Sequence, residues 1–527
     1  MGTNGLYVIR YRNMYFESHH YSDGYPEGLG LQVLQLIRQP NGIAIYRQEF
    51  GEMLDGLKSP SDCLLWIENG DEFESPSPKR PSSDWLWYYE IDLDRNIFHI
   101  EGFPFFTLEC LPDDEVFIQS VTGCLPDDET YTTESVSADH YGHTACALQC
   151  PPEHKYKKPA PPTVDNSELA TYQSLRCTGS QVALSDLLAI SDILCQNEHA
   201  RVSLLEIMVG QCMRNSDVGR ELYEIELVND HKQLTDIQWS IAFFMASITF
   251  VPQMFGDMMC VYHREPKRKE FTWVREDTVV CIATYLNDES CLQASVSRLI
   301  NAISQQKDNP GFYFGIAFSV FHCVVVKVVK DAHTMTFSHT DALQFLPSFY
   351  TETPSTPGIT ALARLGHRIE PALFKRILEV SKHLWRLSIL KTLPAPGADG
   401  SHDVPPNIIY PPLPLELWLE IARYLPRFDL ITFGLISKLC REAALVLLRY
   451  PHVFGYRLVA VPKIPQYLRE RHRSLHTARF SAVRADILYD VDIGMEWKNI
   501  PSKRIITPLE VGDPSHWLIV HFSLICG

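Results

Sequence analysis

The sequence predicts an α+β protein of several domains: an N-terminal α+β domain, a mixed and largely helical middle region, and a small three-helix module near the C-terminus. Three observations carry this. Aromatic and β-branched runs broken by turn residues fill the first 125 positions. Apolar residues at helical spacing dominate 183–250 before strand character returns. At 413–450, three short amphipathic segments follow one another between prolines. With 527 residues the chain exceeds what one hydrophobic core covers, and its 45 % hydrophobic and 21 % charged content is that of folded protein.

In chain order, GLYVIR (5–10) and MYFESH (14–19) flank Tyr11, Arg12 and Asn13 as a β-hairpin. SDGYPEGLG turns the chain, and Leu31, Leu34 and Leu36 suit a short helix. After a Pro/Ser loop at 76–81, WLWYYEID and NIFHIEG make a second hairpin. FPFFTL (103–108) and VFIQSV (116–121) extend the β pattern, so 1–125 reads as one α+β domain. Residues 126–168, rich in Pro, Asp, Glu, Ser and Thr, read as a linker or mobile loop. A middle domain, 169–392, opens with helical patterns at 183–196, 203–213 and 237–250 and continues with strand-like FTWVRED, TVVCIATYL and HCVVVKVV. A Pro/Gly-rich linker, 393–412, leads to the module at 413–450, and 451–527 is a C-terminal extension.

The net charge of −17 repels nucleic-acid phosphates, and the densest basic stretches, Lys155/Lys157/Lys158 and His263 to Lys269, are too small to override it. Fourteen cysteines are scattered, several in apolar runs such as those around Cys281 and Cys323, which suits buried free thiols in a reducing compartment. The longest apolar stretch, Phe312 to Val326, is interrupted by Gly315, Ser319 and His322 and falls short of the ~20 residues a membrane helix needs. The expectation is a soluble protein of the cytoplasm and/or nucleus, with no nucleic-acid or membrane partner.

Signs of chemistry are weak. His140, His143, Cys146, Cys150 and His154 are zinc-type donors, but no Cys-x-x-Cys knuckle accompanies them, and a polar loop is the preferred reading. DLDRN (92–96) opens like a calcium loop, yet Ile97 and Phe103 occupy the positions that need Gly and Glu, so it is a hairpin turn. Gly24 to Gly30 offers backbone N–H groups without any phosphate-binding glycine motif, and reads as a structural turn. His19 and His20 beside Asp23 and Glu27 are the nearest approach to an acid–base cluster, and no GxSxG elbow or HExxH helix exists. No catalytic residue, cofactor or metal is assigned.

The module at 413–450 is more informative. At ~100° per residue, Leu417, Ile421, Tyr424 and Leu425 group on one side of a helix, and Leu415, Trp418 and Ala422 continue the arc, leaving Glu416, Glu420 and Arg423 for water. That apolar arc is roughly twice the ~100° a helix on a single surface needs, so it calls for two burial partners, one of which can be another chain. Pro426 ends this helix, Asp429 is placed to cap a second from Leu430, Ser437 to cap a third, and Pro451 stops the third. A core of three short helices is meagre, and docking would help it.

The run LPLELWLEIARYLPRFDLITFGLISKLCREA resembles an F-box. The resemblance covers about forty residues, through Leu413, Pro414, Leu417, Ile421, Leu425, Asp429, Leu430, Ile436, Ser437, Lys438 and Arg441. It departs at Cys440, where the family often carries Trp, and at Gly434, placed inside the second helix. The resemblance implies docking to a Skp-family adaptor and, through it, to a cullin ubiquitin ligase in an SCF complex. Leu413, Pro414, Leu417, Trp418, Ile421, Leu425 and Leu430 are then the partner-binding residues. The opening GLYVIRYRNMYFESHHYSDGYPEGLG and the stretch LQFLPSFYTETPSTPGITALARLG (343–366) resemble a group of uncharacterised fungal proteins, which implies no activity. The expectation is a non-catalytic adaptor whose N-terminal regions bind an unidentified target. A ligase-independent scaffold and an enzyme built on the N-terminal domain are the alternatives.

Overall fold

The computed structural model describes residues 3–56, 65–66, 72–74, 76–78, 80–81, 87–122, 151–175, 179–214, 216–250, 253–255, 268–306, 309–331, 334–346, 356–367, 374, 377–378, 413–453, 456–461, 477–484, 487–494 and 504–506. The architecture is α+β, in two compact units. The first comprises 1–162, 212–238 and 348–355, and the second 163–211, 239–347 and 356–527.

The first unit is built on strands β1 (Gly5–Tyr11), β2 (Met14–His20), β5 (Trp87–Asp92), β6 (Ile97–Ile100) and β7 (Phe103–Thr107), with β3 (Leu65–Trp66) and β4 (Glu72–Phe73) paired apart. The sheet order is β2-β1-β5-β6-β7, antiparallel except for β1 with β5. Arg12 and Asn13 take left-handed backbone angles (φ 51° and 58°), the geometry of a tight two-residue hairpin turn. Asp94, at the tip of the neighbouring hairpin, accepts both of their N–H groups at 2.7 and 2.9 Å. Both predicted hairpins and the short helix α1 (Leu31–Arg38) are therefore present, followed by α2 (Gly42–Gly56).

Strand alternation gives this sheet two different faces. Tyr7, Ile9, Tyr89, Ile91, Phe98 and Ile100 pack with Val33, Leu34, Phe50 and Phe117 into one aromatic-rich core. On the other face, Leu6, Val8, Tyr15 and Tyr88 adjoin charged Arg10, Glu90 and Asp92 in the same period-two rows. Residues 116–121 are not a strand but part of helix α3 (Asp114–Thr122). Asp113 caps it, its carboxylate accepting the Val116 N–H at 2.8 Å, and Phe117 and Val121 are buried one helical turn apart. Within the stretch expected as a linker, residues 154–156 run along β7, where the Thr107 N–H donates to the His154 carbonyl at 2.8 Å and the Tyr156 N–H to the Phe105 carbonyl at 3.2 Å. The outer edge of β2 is likewise occupied: Tyr15 and Ser77 exchange backbone bonds at 2.8 and 2.9 Å, and the Glu74 N–H donates to Glu17.

The second unit carries strands β8 (Gly179–Gln181), β9 (Met254–Phe255), β10 (Phe271–Arg275), β11 (Thr278–Ile282), β12 (Gly311–Phe318), β13 (His322–Lys330), β14 (Met335–His339) and β15 (Leu343–Gln344). Strands β16 (His452–Val453), β17 (Tyr456–Ala460), β18 (Thr477–Arg484), β19 (Ile487–Gly494) and β20 (Arg504–Ile506) follow. One sheet has the order β10-β11-β12-β13-β14-β8, with β15 beside β13, and the other β20-β19-β18-β17-β16-β9. Helices α4 (Asn166–Leu175), α5 (Gln196–Arg214), α6 (Asp236–Ser247), α7 (Glu289–Gln306) and α8 (Pro357–His367) belong wholly or mainly here. The α5 and α6 helices hold two of the three predicted helical patterns. The third, 183–196, forms only Leu184–Leu188, because Ala189 turns left-handed (φ 53°). Strands β11 and β12 are parallel and joined through α7, whose Leu292, Val296, Leu299 and Ile303 bury against Val279, Cys281, Ala317 and Val326. Cys281, Cys291, Cys323 and Cys440 are buried free thiols, as expected. Among the described residues no helix is long and apolar enough to cross a membrane.

Candidate functional site

Helices α9 (Leu415–Tyr424), α10 (Arg427–Phe433) and α11 (Lys438–Leu448) occupy the stretch read as a three-helix module. Pro414 and Pro426 set the extended entries to α9 and α10, so Asp429 falls in the first turn of α10 instead of capping it. Ser437 does cap α11, accepting the Cys440 N–H at 3.1 Å. Ala422, Leu430, Ile431, Phe433, Cys440, Ala443, Ala444, Leu447 and Leu448 form the core, with Trp418 packed on Phe433 at 5.7 Å between ring centroids.

On the outer side of α9, Leu417, Ile421 and Tyr424 sit at i, i+4 and i+7 and remain 49 %, 42 % and 59 % exposed. Leu435 and Ile436, in the turn between α10 and α11, are 54 % and 70 % exposed. These large apolar side chains leave open apolar surface on an ordered helix and the turn near it. Of the seven residues predicted to bind a partner, Pro414, Leu417 and Ile421 are open, while Leu413, Trp418 and Leu425 are half-buried. Leu430 is a correction: it is 1 % exposed and belongs to the module's own core, where its helical period turns it inward. Tyr424, Leu435 and Ile436 are open as well and are not among the seven predicted residues. The signal for Leu435 was available in the apolar Leu435-Ile436 pair, which follows the end of one helix and so has no inward face to occupy.

Residues 412–451 match the family model of the F-box domain. This segment is an F-box domain. No curated protein and no solved structure matches the chain. The F-box departs from expectation at Gly434, which is not in a helix interior but at the C-terminal end of α10. A side chain there would collide with the ring of Phe374, which with Ile377 joins the F-box core from outside the matched segment. Arg441 lies over that ring at 5.2 Å from its centroid and donates from Nε to the Gly434 carbonyl.

Among the described residues, the densest titratable cluster lies in the first unit. Glu90, Asp92 and His99 are fully buried and close enough together to hold a metal ion. Arg80 donates to Glu90 at 2.7 Å and to Glu224 at 3.2 Å, Arg10 to Asp92 at 3.2 Å and to Glu224 at 3.4 Å, and Arg95 also pairs with Glu224. Burial is the largest influence on Glu90 and opposes its ionisation, but Arg80 and the other cationic neighbours together more than offset it and hold the carboxyl at about 2. Burial would likewise raise Glu224, yet Arg95, Arg80 and Arg10 keep it well below the carboxylate range. Burial pushes Asp92 up to about 6 against the pull of Arg10, and lowers His99 to about 4. Three guanidinium groups thus already balance three carboxylates around a neutral imidazole, and the residues do not fit a cation. The cluster is a closed ion network that fastens Glu224, on the helix Ser216–Glu226, to the charged face of the sheet.

The other predicted chemistry disperses. His19, on β2, lies 3.0 Å from Glu74 and 3.9 Å from Glu17, and Asp23 accepts the Tyr25 hydroxyl at 3.3 Å. The Gly24–Gly30 turn is filled by the chain itself: Cβ atoms would strike Asn4 at Gly24 and the Tyr89 ring, at 3.1 Å, at Gly30. Of the zinc-type donors, His140, His143, Cys146 and Cys150 lie outside the described residues, and His154 places Nδ1 3.0 Å from the Cys110 carbonyl.

Proposed function

We propose that this F-box protein is an adaptor that docks a Skp-type protein and presents a target protein to a cullin ubiquitin ligase. The observation that supports it is the open apolar side of α9, Leu417 with Ile421 and Tyr424, within the segment that matches the F-box family model. F-box domains generally bind a Skp-type partner and through it a cullin, so catalysis on this reading belongs to the partners and the cytoplasm or nucleus is the place of action. The target is a protein recognised by regions N-terminal to the F-box. The test is a titration of the full chain with a purified Skp-type protein: saturable 1:1 binding is expected for the wild type and not for L417E/I421E, with both folding alike. Absence of wild-type binding would overturn the proposal.

A further inference from the structure

The F-box match covers only 412–451, but the structural boundary of the module is not there. Its core contains Phe374 and Ile377, about forty residues upstream, and Gly434 lacks a side chain where the Phe374 ring lies. The end of α11 is held as well. Arg201, on α5, is 3 % exposed, has no carboxylate partner among the described residues, and donates from Nη1 to the carbonyl of Arg449 at 3.1 Å. Its counter-charge is the negative end of α11, where unsatisfied carbonyls gather. Burial with no opposing anion lowers Arg201 to about 10, so it remains a cation at neutral pH. One residue pair beyond, the His452 N–H donates to Gln253 at 2.8 Å and β16 pairs in parallel with β9.

From α5 the contacts continue to the seven-stranded sheet. Glu198 pairs with Arg364 of α8 at 3.0 Å, and Thr356 donates to Glu206. The first turn of α8 presses on β15, where a Cβ at Gly358 would meet the Gln344 carbonyl at 2.7 Å, and Cys323 of β13 points its thiol at the Gly358 carbonyl. Every link in this route is buried or half-buried, and each is made by a residue suited to its place: a glycine where backbones touch, an arginine where carbonyls converge.

We infer that the F-box is not an appendage that folds and swings by itself but an integral part of the second unit, its core closed by Phe374 and its third helix anchored by Arg201. The Skp-facing side of α9 is then held in one orientation relative to the seven-stranded sheet. As an adaptor device this rests on the proposed function; as a statement about the fold it does not. A partner docked on α9 would be carried at a fixed position relative to whatever that sheet displays, with no hinge between them.

The test uses the full chain with spin labels introduced as unnatural amino acids at Phe312 on β12 and Glu442 on α11, both exposed. A single narrow distance distribution is expected, and Phe374→Ala should broaden it and raise amide exchange in α9–α11 on the order of a hundred-fold, the effect of a phenylalanine-sized core cavity. Should that variant not fold, Arg201→Met removes the anchor without opening the core and should speed exchange at the end of α11 and at His452 roughly ten-fold. A broad wild-type distribution would overturn the inference, as would variants whose F-box amides exchange at the wild-type rate. Neither readout requires a Skp-type protein, so failure of partner binding is a separate result.

Discussion

Replacing Leu417 and Ile421 together by alanine tests the docking surface quantitatively. The two leave 49 % and 42 % of their surface open, together about one whole aliphatic side chain. Covering that much apolar surface contributes ~1.5–3 kcal/mol. Because alanine keeps its Cβ, the loss lies toward the lower end, and the Kd for a Skp-type protein should rise roughly ten- to thirty-fold. Neither side chain closes the F-box core, so unfolding stability should move by no more than about 0.5 kcal/mol. Isothermal titration gives the first quantity and urea unfolding the second. An affinity within two-fold of wild type would refute the reasoning, and so would a weaker complex explained by a loss of stability of several kcal/mol.

Leu430→Ala should behave in the opposite way, losing ~2–5 kcal/mol of F-box stability in urea because its side chain is sealed in the core. Glu224→Gln leaves Arg10, Arg80 and Arg95 with one carboxylate fewer in a buried setting, and should cost about 3–5 kcal/mol in the unfolding of the first unit. The network also fixes a pH profile. His99, lowered to about 4, contributes stability that is lost as pH falls from its unfolded value of 6.5, whereas Asp92, raised to about 6, becomes less unfavourable over nearly the same interval. These oppose each other, so the contribution of the network should change little between pH 7 and about 4.5. Below that, Glu90, whose carboxyl is held at about 2, loses its share and stability should drop steeply. Urea midpoints measured at intervals of half a pH unit would count against this if the drop began at pH 6.

Local chemistry made much of this legible in the sequence. Hairpins at 5–20 and 87–100 follow from β-branched and aromatic runs around turn residues, and α9 from its i, i+4 apolar spacing. VFIQSV was misread because its six residues look equally strand-like and helical, and the deciding signal, Asp113 as a cap, lay outside the run. Leu430 was misassigned for a related reason: the motif names it, but only the packing of α10 on α11 shows which way it points. The ion network was out of reach. Arg10, Arg80, Glu90 and Glu224 span more than two hundred positions, and nothing in the spacing of charges says that a sheet will gather them. Gly434 makes the same point, since what reads as a weak spot in a helix is the space occupied by a ring sixty residues earlier.

Both borders of the first unit's sheet carry backbone partners, β2 from Glu74 and Ser77 at Glu17 and Tyr15, and β7 from residues 154–156. At these positions a guest peptide finds no vacant ladder on which to add itself as an extra strand, one way for a sheet to read a sequence through its main chain. Cargo meeting the sheet there would have to be selected through side-chain shape and charge. The same bonds occupy part of the template on which two copies could zip together, one of the ways native edges are protected.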